Sequence, residues 1–301
     1  MQRLEPFAAI GPMRSLLYTP GHREAMVARA VDGGLPVPPD VALLDLEDGV
    51  PPAEKENARR VAAAALGRPR TNGLRFVRLS GRSTSDQAEA DLAAVVRAGL
   101  DGIVVPKVAR AAELAMLDEM LTERERAAKL PAGSVSVIAS IESAAGLINA
   151  PEIARSPRLA GLMFGSEDFA ADLGLPVKRE AEAAELVYAR SAIVVAAAAA
   201  RILAFDGIWA NYRDEAGLRA DAQLGRGLGF AGRQCIHPDQ VAVVNEIFSP
   251  TADEIERAGR VVKAFEDGVA RGLGAVALDG EMLDAPIVAR ARRVLKYLHS
   301  K

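Results

Sequence analysis

Several carboxylates in this chain fall at the downstream ends of apolar runs, where a charged group can do chemistry and not merely face solvent. VSVIASIE ends on Glu142, and LAGLMFG runs into Ser166, Glu167 and Asp168. The intervening SAAGLINAPEIARS has room for a short crossover helix, so the two runs are expected as neighbouring parallel strands. Two carboxylates at the carboxyl ends of adjacent parallel strands make a hard-oxygen site. Such a site holds Mg²⁺ and leaves positions open for substrate and water. Each acid also has a plainer reading. Glu142 precedes Ser143, and Asp168 lies within GSEDFAADLG, so both are candidates for the acidic first turn of a helix.

Other apolar runs end on Tyr18, on Asp45, Glu47 and Asp48, on Arg78, on Lys107, on Asp206 and on His237. Three acids in DLEDG cannot share a small mouth unless a metal ion, lysine or arginine offsets them. In RFVRLSG, strand alternation places Phe76, Arg78 and Ser80 on one face, and an inward arginine needs an anionic partner. That partner is either a structural acid or a substrate oxygen. Lys107 is read as a partner of the acids after the second run, and His237, ahead of Pro238, as either a helix cap or a functional group. With no Cys/His cluster, the acid set favours Mg²⁺ over Zn²⁺. GRGLGFAGR lacks the strand–turn–helix setting of a nucleotide fingerprint.

These positions need a scaffold that gathers strand ends. Eight strand-like runs recur, at 15–20, 41–49, 74–81, 102–107, 134–142, 159–165, 201–210 and 232–238, and Ala- and charge-rich helical patterns separate them. That alternation predicts an α/β fold, a TIM (β/α)8 barrel over residues 1–248, with active residues at the carboxyl ends of its strands. Residues 249–301 read as a C-terminal helical extension of the kind that lids a site or packs on a neighbouring subunit. Half of the 301 residues are hydrophobic and 4% aromatic, which suits an aliphatic core between helices and a parallel sheet. A net charge of −3 without a basic block argues against nucleic acid or an anionic membrane as partner. The lone Cys235 argues against an internal disulfide framework. The N-terminal stretch lacks the pattern of a signal peptide, and the longest apolar run, 191–200, is too short to span a bilayer. A cytoplasmic location is the expectation.

RSLLYTPG, ALLDLEDGV with EKENAR behind it, FVRLSG, GIVVPK, IESAAGLINAPEIA, FGSEDFAADLG and LGFAGRQCIHPDQV follow one another in this order. Together they resemble the citrate lyase β-subunit-like (HpcH/HpaI aldolase/citrate lyase) family, close to malyl-CoA and citramalyl-CoA lyases. The resemblance covers nearly the whole chain. It implies a Mg²⁺-dependent carbon–carbon lyase acting beside a CoA thioester, with Mn²⁺ as a substitute ion and a homotrimer or hexamer as the assembly. Position by position, it implies Glu142 and Asp168 as metal ligands and Arg78 as the arginine on the reacting oxygens. Asp45, Glu47, Asp48 and Lys107 would stand behind them.

For binding, the resemblance implies Glu167 in the substrate pocket, Tyr18, Arg23 and Arg29 along the CoA portion, and Ile236 and His237 at a further substrate-contacting stretch. Arg29 stands where a lysine is usual. GEMLDAP resembles a segment whose aspartate, here Asp284, enters a neighbouring subunit's active site. The implied substrate is a 3-hydroxyacyl-CoA such as malyl-CoA or citramalyl-CoA, giving acetyl-CoA and a 2-oxo acid. Three rivals stand beside it: a citrate lyase β-subunit working on an acyl-carrier thioester in a complex, an aldolase for pyruvate and an aldehyde without CoA, and a non-catalytic barrel that binds a CoA ester or a protein partner.

Overall fold

Short apolar runs, each closed by a charged residue or a turn, alternate with helix-forming stretches, and the chain resolves them into parallel strands and covering helices. The computed structural model describes residues 12–81, 85–175 and 183–296. Strands β1 (Ser15–Pro20), β2 (Val41–Asp45), β3 (Leu74–Arg78), β4 (Gly102–Val105), β5 (Ser136–Ile141), β6 (Leu159–Phe164), β7 (Leu203–Asp206) and β8 (Gly232–Cys235) close into one barrel in sequence order. Each strand runs parallel to the next, and β8 returns to β1. The crossovers carry helices α1 (Glu24–Val31), α2 (Lys55–Leu66), α3 (Asp86–Val95) and α4 (Ala111–Ala127) in the first half. In the second half come α5 (Ala144–Ile153), α6 (Ser166–Asp172), α7 (Val187–Ala200), α8 (Glu215–Leu228) and α9 (Pro238–Ile247). The fold is the expected TIM (β/α)8 barrel.

Beyond β1, which spans its whole run, the strands are shorter than their apolar runs, and the reasons are local. Beyond β2 the Asp45 carboxylate accepts hydrogen bonds from the backbone N–H groups of Glu47 (2.9 Å) and Gly49 (2.9 Å), which folds DLEDG into a turn. Beyond β3 the backbone N–H and hydroxyl of Ser80 donate to Asp91 on α3 (2.6 and 2.7 Å). Ser80 therefore leaves the face that alternation assigned it with Phe76 and Arg78. At β7, Arg201 ends α7 in the left-handed region at φ 58°, so the strand begins only at Leu203.

Inside the barrel, large and small residues interlock. A Cβ at Gly102 would come within 2.3 Å of the Phe76 ring, and one at Gly161 within 2.8 Å of the Phe205 ring. These glycines make room for the aromatic side chains that fill the interior. Between β7, β8, α7 and α8, the buried side chains of Arg190, Asp206, Asp221 and Arg233 pair with one another.

One compact unit takes in residues 13–248, and a second is built from residue 249 onward. The second holds α10 (Ala252–Ala270), the antiparallel hairpin β9 (Val276–Leu278) and β10 (Glu281–Leu283), and α11 (Ala285–Lys296). A capping box of Thr251 and Glu254 starts α10. Asp279 and Gly280, both at positive φ, form the two-residue hairpin turn. Its own small core joins Ala258, Val261, Leu283, Val288 and Ala291. Among the described residues, no helix is long and apolar enough to cross a membrane.

Candidate active site

Glu142 stands one residue past β5, immediately before Ser143, whose side chain caps α5. Its side chain lies across Gly165, where a Cβ would fall 2.2 Å from Glu142 Cγ. Glycine at 165 is thus the condition for this carboxylate to reach its place. Glu142 is 6% exposed, and its Oε2 is buried with no hydrogen-bond partner. Burial pushes its pKa up to about 7; a hydrogen bond with Ser140 opposes this, and the nearby Glu47 and Asp168 charges add to it. Asp168 follows β6 on the first turn of α6. Both plain readings therefore hold in part, since each acid adjoins a helix start. Yet among the described residues neither makes an ion pair with a basic group. The structure brings together, from adjacent parallel strands, two carboxylates that are not neutralised by an ion pair, the nearest cationic influence on Asp168 being Lys107.

The neighbouring strand ends show the contrast. Arg78 forks onto Asp45, with Nε to Oδ1 at 2.7 Å and Nη2 to Oδ2 at 2.8 Å, and Nη1 lies 3.0 Å from Glu47 Oε2. Lys107, at φ 55°, reaches Glu47 at 2.9 Å and Asp48 at 3.9 Å. The acids of DLEDG are offset by the protein's own cations. Burial alone would lower the pKa of Arg78, but Tyr18, Asp45 and Glu47 more than reverse this, so it stays charged. Two of its five N–H groups donate to Asp45, and Nη1 stands at ion-pair distance from Glu47 without a hydrogen bond to it. Burial raises the pKa of Glu47, and the Arg78 and Lys107 charges counter it.

A cleft of about 350 Å³ opens at this end of the barrel. Tyr18, Asp45, Asp48, Arg78, Glu142, Glu167, Asp168 and Ile236, all singled out from the sequence, line it. So do Ser140, Phe164, Ser166, Ile208 and Gln234, which sequence reasoning passed over because none is charged. Period-two alternation could have found two of them. Ser140 lies two residues before Glu142, and Gln234 two before Ile236, on the same strand faces.

Other candidates lie elsewhere. Glu47 and Lys107 stand behind Arg78 and do not line the cleft. His237 caps α9 by accepting from Asp239 N–H (3.3 Å) and stacks on Tyr212 at 4.7 Å, so the capping reading is the one its contacts bear out. Arg23 and Arg29 are exposed on and beside α1, away from the cleft lining. Asp206, at the end of β7, turns into the buried ion cluster with Arg190 and Arg233, which removes it from the mouth. Asp284 belongs to the second unit, where its carboxylate accepts the backbone N–H of Ile287 at 3.3 Å near the start of α11.

The donor set at Glu142 and Asp168 is all oxygen. Among the described residues, no three His, Cys, Asp or Glu side chains gather as a metal cage. Two protein carboxylates with open positions fit an ion that keeps several waters, as Mg²⁺ does. The orphaned, buried Oε2 of Glu142 is the local sign that a cation belongs beside it.

The family model for HpcH/HpaI aldolase/citrate lyase matches residues 14–238. The chain is 38% identical over 285 residues to the citrate lyase subunit beta of Leuconostoc mesenteroides subsp. cremoris, spanning 94% of this chain and 92% of that one. It is 37% identical over 286 residues to a (3S)-malyl-CoA thioesterase of Cereibacter sphaeroides, spanning 94% of each. Among solved structures, the CitE protein of Mycobacterium tuberculosis in complex with magnesium, acetoacetate and coenzyme A superposes with a TM-score of 0.75 at 31% identity. That match covers 97% of this chain and 98% of that one. With its barrel, its paired acids and a match running through all eight strands, the chain belongs to the HpcH/HpaI aldolase/citrate lyase family of carbon–carbon lyases.

Proposed function

We propose that this protein cleaves or forms the carbon–carbon bond of a 3-hydroxyacyl-CoA thioester such as malyl-CoA or citramalyl-CoA, the other side of the reaction being acetyl-CoA and glyoxylate or pyruvate. The observation that carries this reading is the pair Glu142 and Asp168, neither in an ion pair, in one cleft with an arginine that Asp45 holds by two of its N–H groups. The magnesium and coenzyme A held by the M. tuberculosis CitE protein support it. Glu142 and Asp168 would hold Mg²⁺, with Mn²⁺ as a substitute. When bound, the ion supplies charge neutralisation for the two acids and a Lewis-acid contact for an α-hydroxy acid.

In the cleavage direction the substrate hydroxyl gives its proton to solvent water and becomes the carbonyl of the 2-oxo acid. The electron pair of the breaking bond moves onto the thioester as an enolate, whose carbon then takes a proton. Arg78 stabilises the charge that develops on oxygen. Asp45 and Glu47 hold its edge so that no reorganisation is needed during the reaction. Asp284, supplied by a neighbouring copy in a homotrimer or hexamer, is the proton donor to the enolate carbon, and the base in the reverse direction. Glu167 contributes to the substrate wall of the cleft.

The test is to incubate purified protein and Mg²⁺ with malyl-CoA, methylmalyl-CoA and citramalyl-CoA and to follow the 2-oxo acid. Turnover that chelation abolishes is expected; no cleavage of any of the three overturns the proposal. A second reading, the β-subunit of a citrate lyase complex acting on a carrier-bound thioester, is favoured by the identity to the L. mesenteroides protein. Activity on citryl-carrier protein but on no CoA ester selects it.

A further inference from the structure

We propose that Gln234 and Tyr18 are positioning residues that fix the tilt of the Arg78 guanidinium, and that Tyr18 is neither a CoA contact nor an acid–base group. This rests on the lyase reading above insofar as Arg78 is its charge-stabilising group.

Gln234, on β8, is 4% exposed, and every polar atom of its carboxamide is used. Nε2 donates to the carbonyls of Phe164 (2.8 Å) and Asp206 (2.9 Å), the last residues of β6 and β7. Two carbonyls demand the two amide hydrogens, which decides which end of the side chain is oxygen. That oxygen accepts the Tyr18 hydroxyl at 2.9 Å, and the same hydroxyl lies 3.5 Å from Met163 Sδ. One side chain thus ties β1 to β6, β7 and β8 at the cleft floor.

Above this tether, the Arg78 guanidinium carbon sits 4.6 Å from the centroid of the Tyr18 ring. Asp45 and Glu47 grip the guanidinium by its edge. An edge grip sets position within the plane but leaves the group able to tilt about the line of the two carboxylates. A ring against one face removes that freedom, and cation–π attraction keeps the contact. Arg78 lines the cleft in this orientation.

One face of the Tyr18 ring is taken by Arg78 and its hydroxyl by Gln234, so its one polar atom is already committed within the protein. Burial, with Asp45, Glu142 and Glu47 adding to it and Arg78 opposing, pushes the Tyr18 phenol above its ordinary value. A phenol so placed stays protonated through the neutral range.

The experiment compares Tyr18→Phe, Gln234→Leu and the double variant with the Mg²⁺-loaded wild type on malyl-CoA and citramalyl-CoA. Loss of the tether is expected to lower kcat by roughly 10- to 100-fold with little change in the KM for the thioester, as a slight misplacement of a reacting group does. The double variant is expected to lose no more than the worse single variant, because both remove one tether. The pH profile of Tyr18→Phe keeps both limbs. A raised KM with kcat intact, additive losses, or a vanished limb each overturn the proposal.

A second readout is independent of turnover: solvent exchange of the Arg78 Nε–H followed by nitrogen-15 NMR, with the signal assigned by its loss in Arg78→Lys. Faster exchange is expected in Tyr18→Phe and Gln234→Leu, and unchanged exchange overturns the inference. Should the wild type cleave no thioester, the lyase reading fails and the exchange measurement still decides this one. Tyr18→Phe, which removes a single oxygen, carries both readouts if Gln234→Leu does not fold.

Discussion

Arg78 serves the structure and the proposed chemistry at once, and that changes how it must be tested. It is the counter-ion of the buried acids Asp45 and Glu47. Arg78→Ala strands both charges, which typically costs about 3–5 kcal/mol of stability. An alanine variant therefore tests folding together with turnover. Arg78→Lys keeps the charge but loses the planar fork. It is expected to retain a near-normal melting temperature while kcat falls by about 10²- to 10³-fold, the usual loss for one preorganised donor. Wild-type turnover in Arg78→Lys removes the role assigned to the fork.

Glu142 carries the opposite tension at the same scale. Its pKa stands at about 7 in the folded chain, above the ordinary carboxylate value, because burial disfavours the anion. The unfolded chain therefore gives up this proton at lower pH than the folded one. Stability from this group is complete below about pH 4.5 and is lost as pH rises through about 7, to a total of up to about 3 kcal/mol. Glu142→Gln should make the metal-free protein more stable than wild type at pH 8 and no more stable at pH 4.5. Added Mg²⁺ should raise the melting temperature of the wild type at pH 8 and leave that of the variant unchanged. Equal stabilities at pH 8 in chelator would show that burial does not strain this acid.

Among the elements, the turns beyond the strands do the arranging. The turn from β6 into α6 brings the backbone at Gly165 so close to Glu142 that a single methyl would collide with Cγ. Gly165 is not at positive φ, so the constraint is space and not backbone conformation. Gly165→Ala is expected to push the Glu142 carboxylate aside and to weaken Mg²⁺ binding by at least about tenfold, measured by calorimetry. Its melting temperature should stay close to that of the wild type, because Glu142 can swing toward the open cleft. Unaltered Mg²⁺ affinity would mean that Glu142 is no ligand. The DLEDG turn works in the same way: Gly49 and Glu47 donate backbone N–H groups to Asp45, and Asp45 can then grip Arg78.

For the whole molecule, the barrel explains why residues from Tyr18 to Ile236 line one cleft, because a closed parallel barrel delivers all its carboxyl ends to the same face. Residues from 249 onward form a unit with its own core. If Asp284 completes a neighbouring copy's site, a mixture of inactive Arg78→Lys and Asp284→Asn chains, refolded together, should recover part of the wild-type activity. Some mixed pairs then join an intact cleft to an intact aspartate. No recovery, with mixed oligomers demonstrated by mass, places the proton donor within the same chain or removes Asp284 from the chemistry.

The alternation of apolar runs with helical stretches was enough to indicate a parallel α/β fold, and the number of runs, eight, pointed to a closed barrel over an open doubly wound sheet. The order of strand ends likewise put Glu142, Asp168 and Arg78 at one face, since parallel strands of a barrel all carry their carboxyl ends to the same side. Pairing was decided by the tertiary structure alone. DLEDG held three acids of the same kind on paper, yet Asp45 and Glu47 are paired with Arg78 and Lys107, whereas Glu142 and Asp168 make no ion pair among the described residues. Asp206, just as promising at the end of its strand, is drawn into the buried cluster by Arg190 on α7 and Arg233 on β8. Gln234 carried no charge to attract notice, and its reach to two strand carbonyls and Tyr18 exists only once β1, β6, β7 and β8 lie side by side. Residue type limits what a side chain can do; which neighbour satisfies it is set by distances between strands that are far apart in sequence.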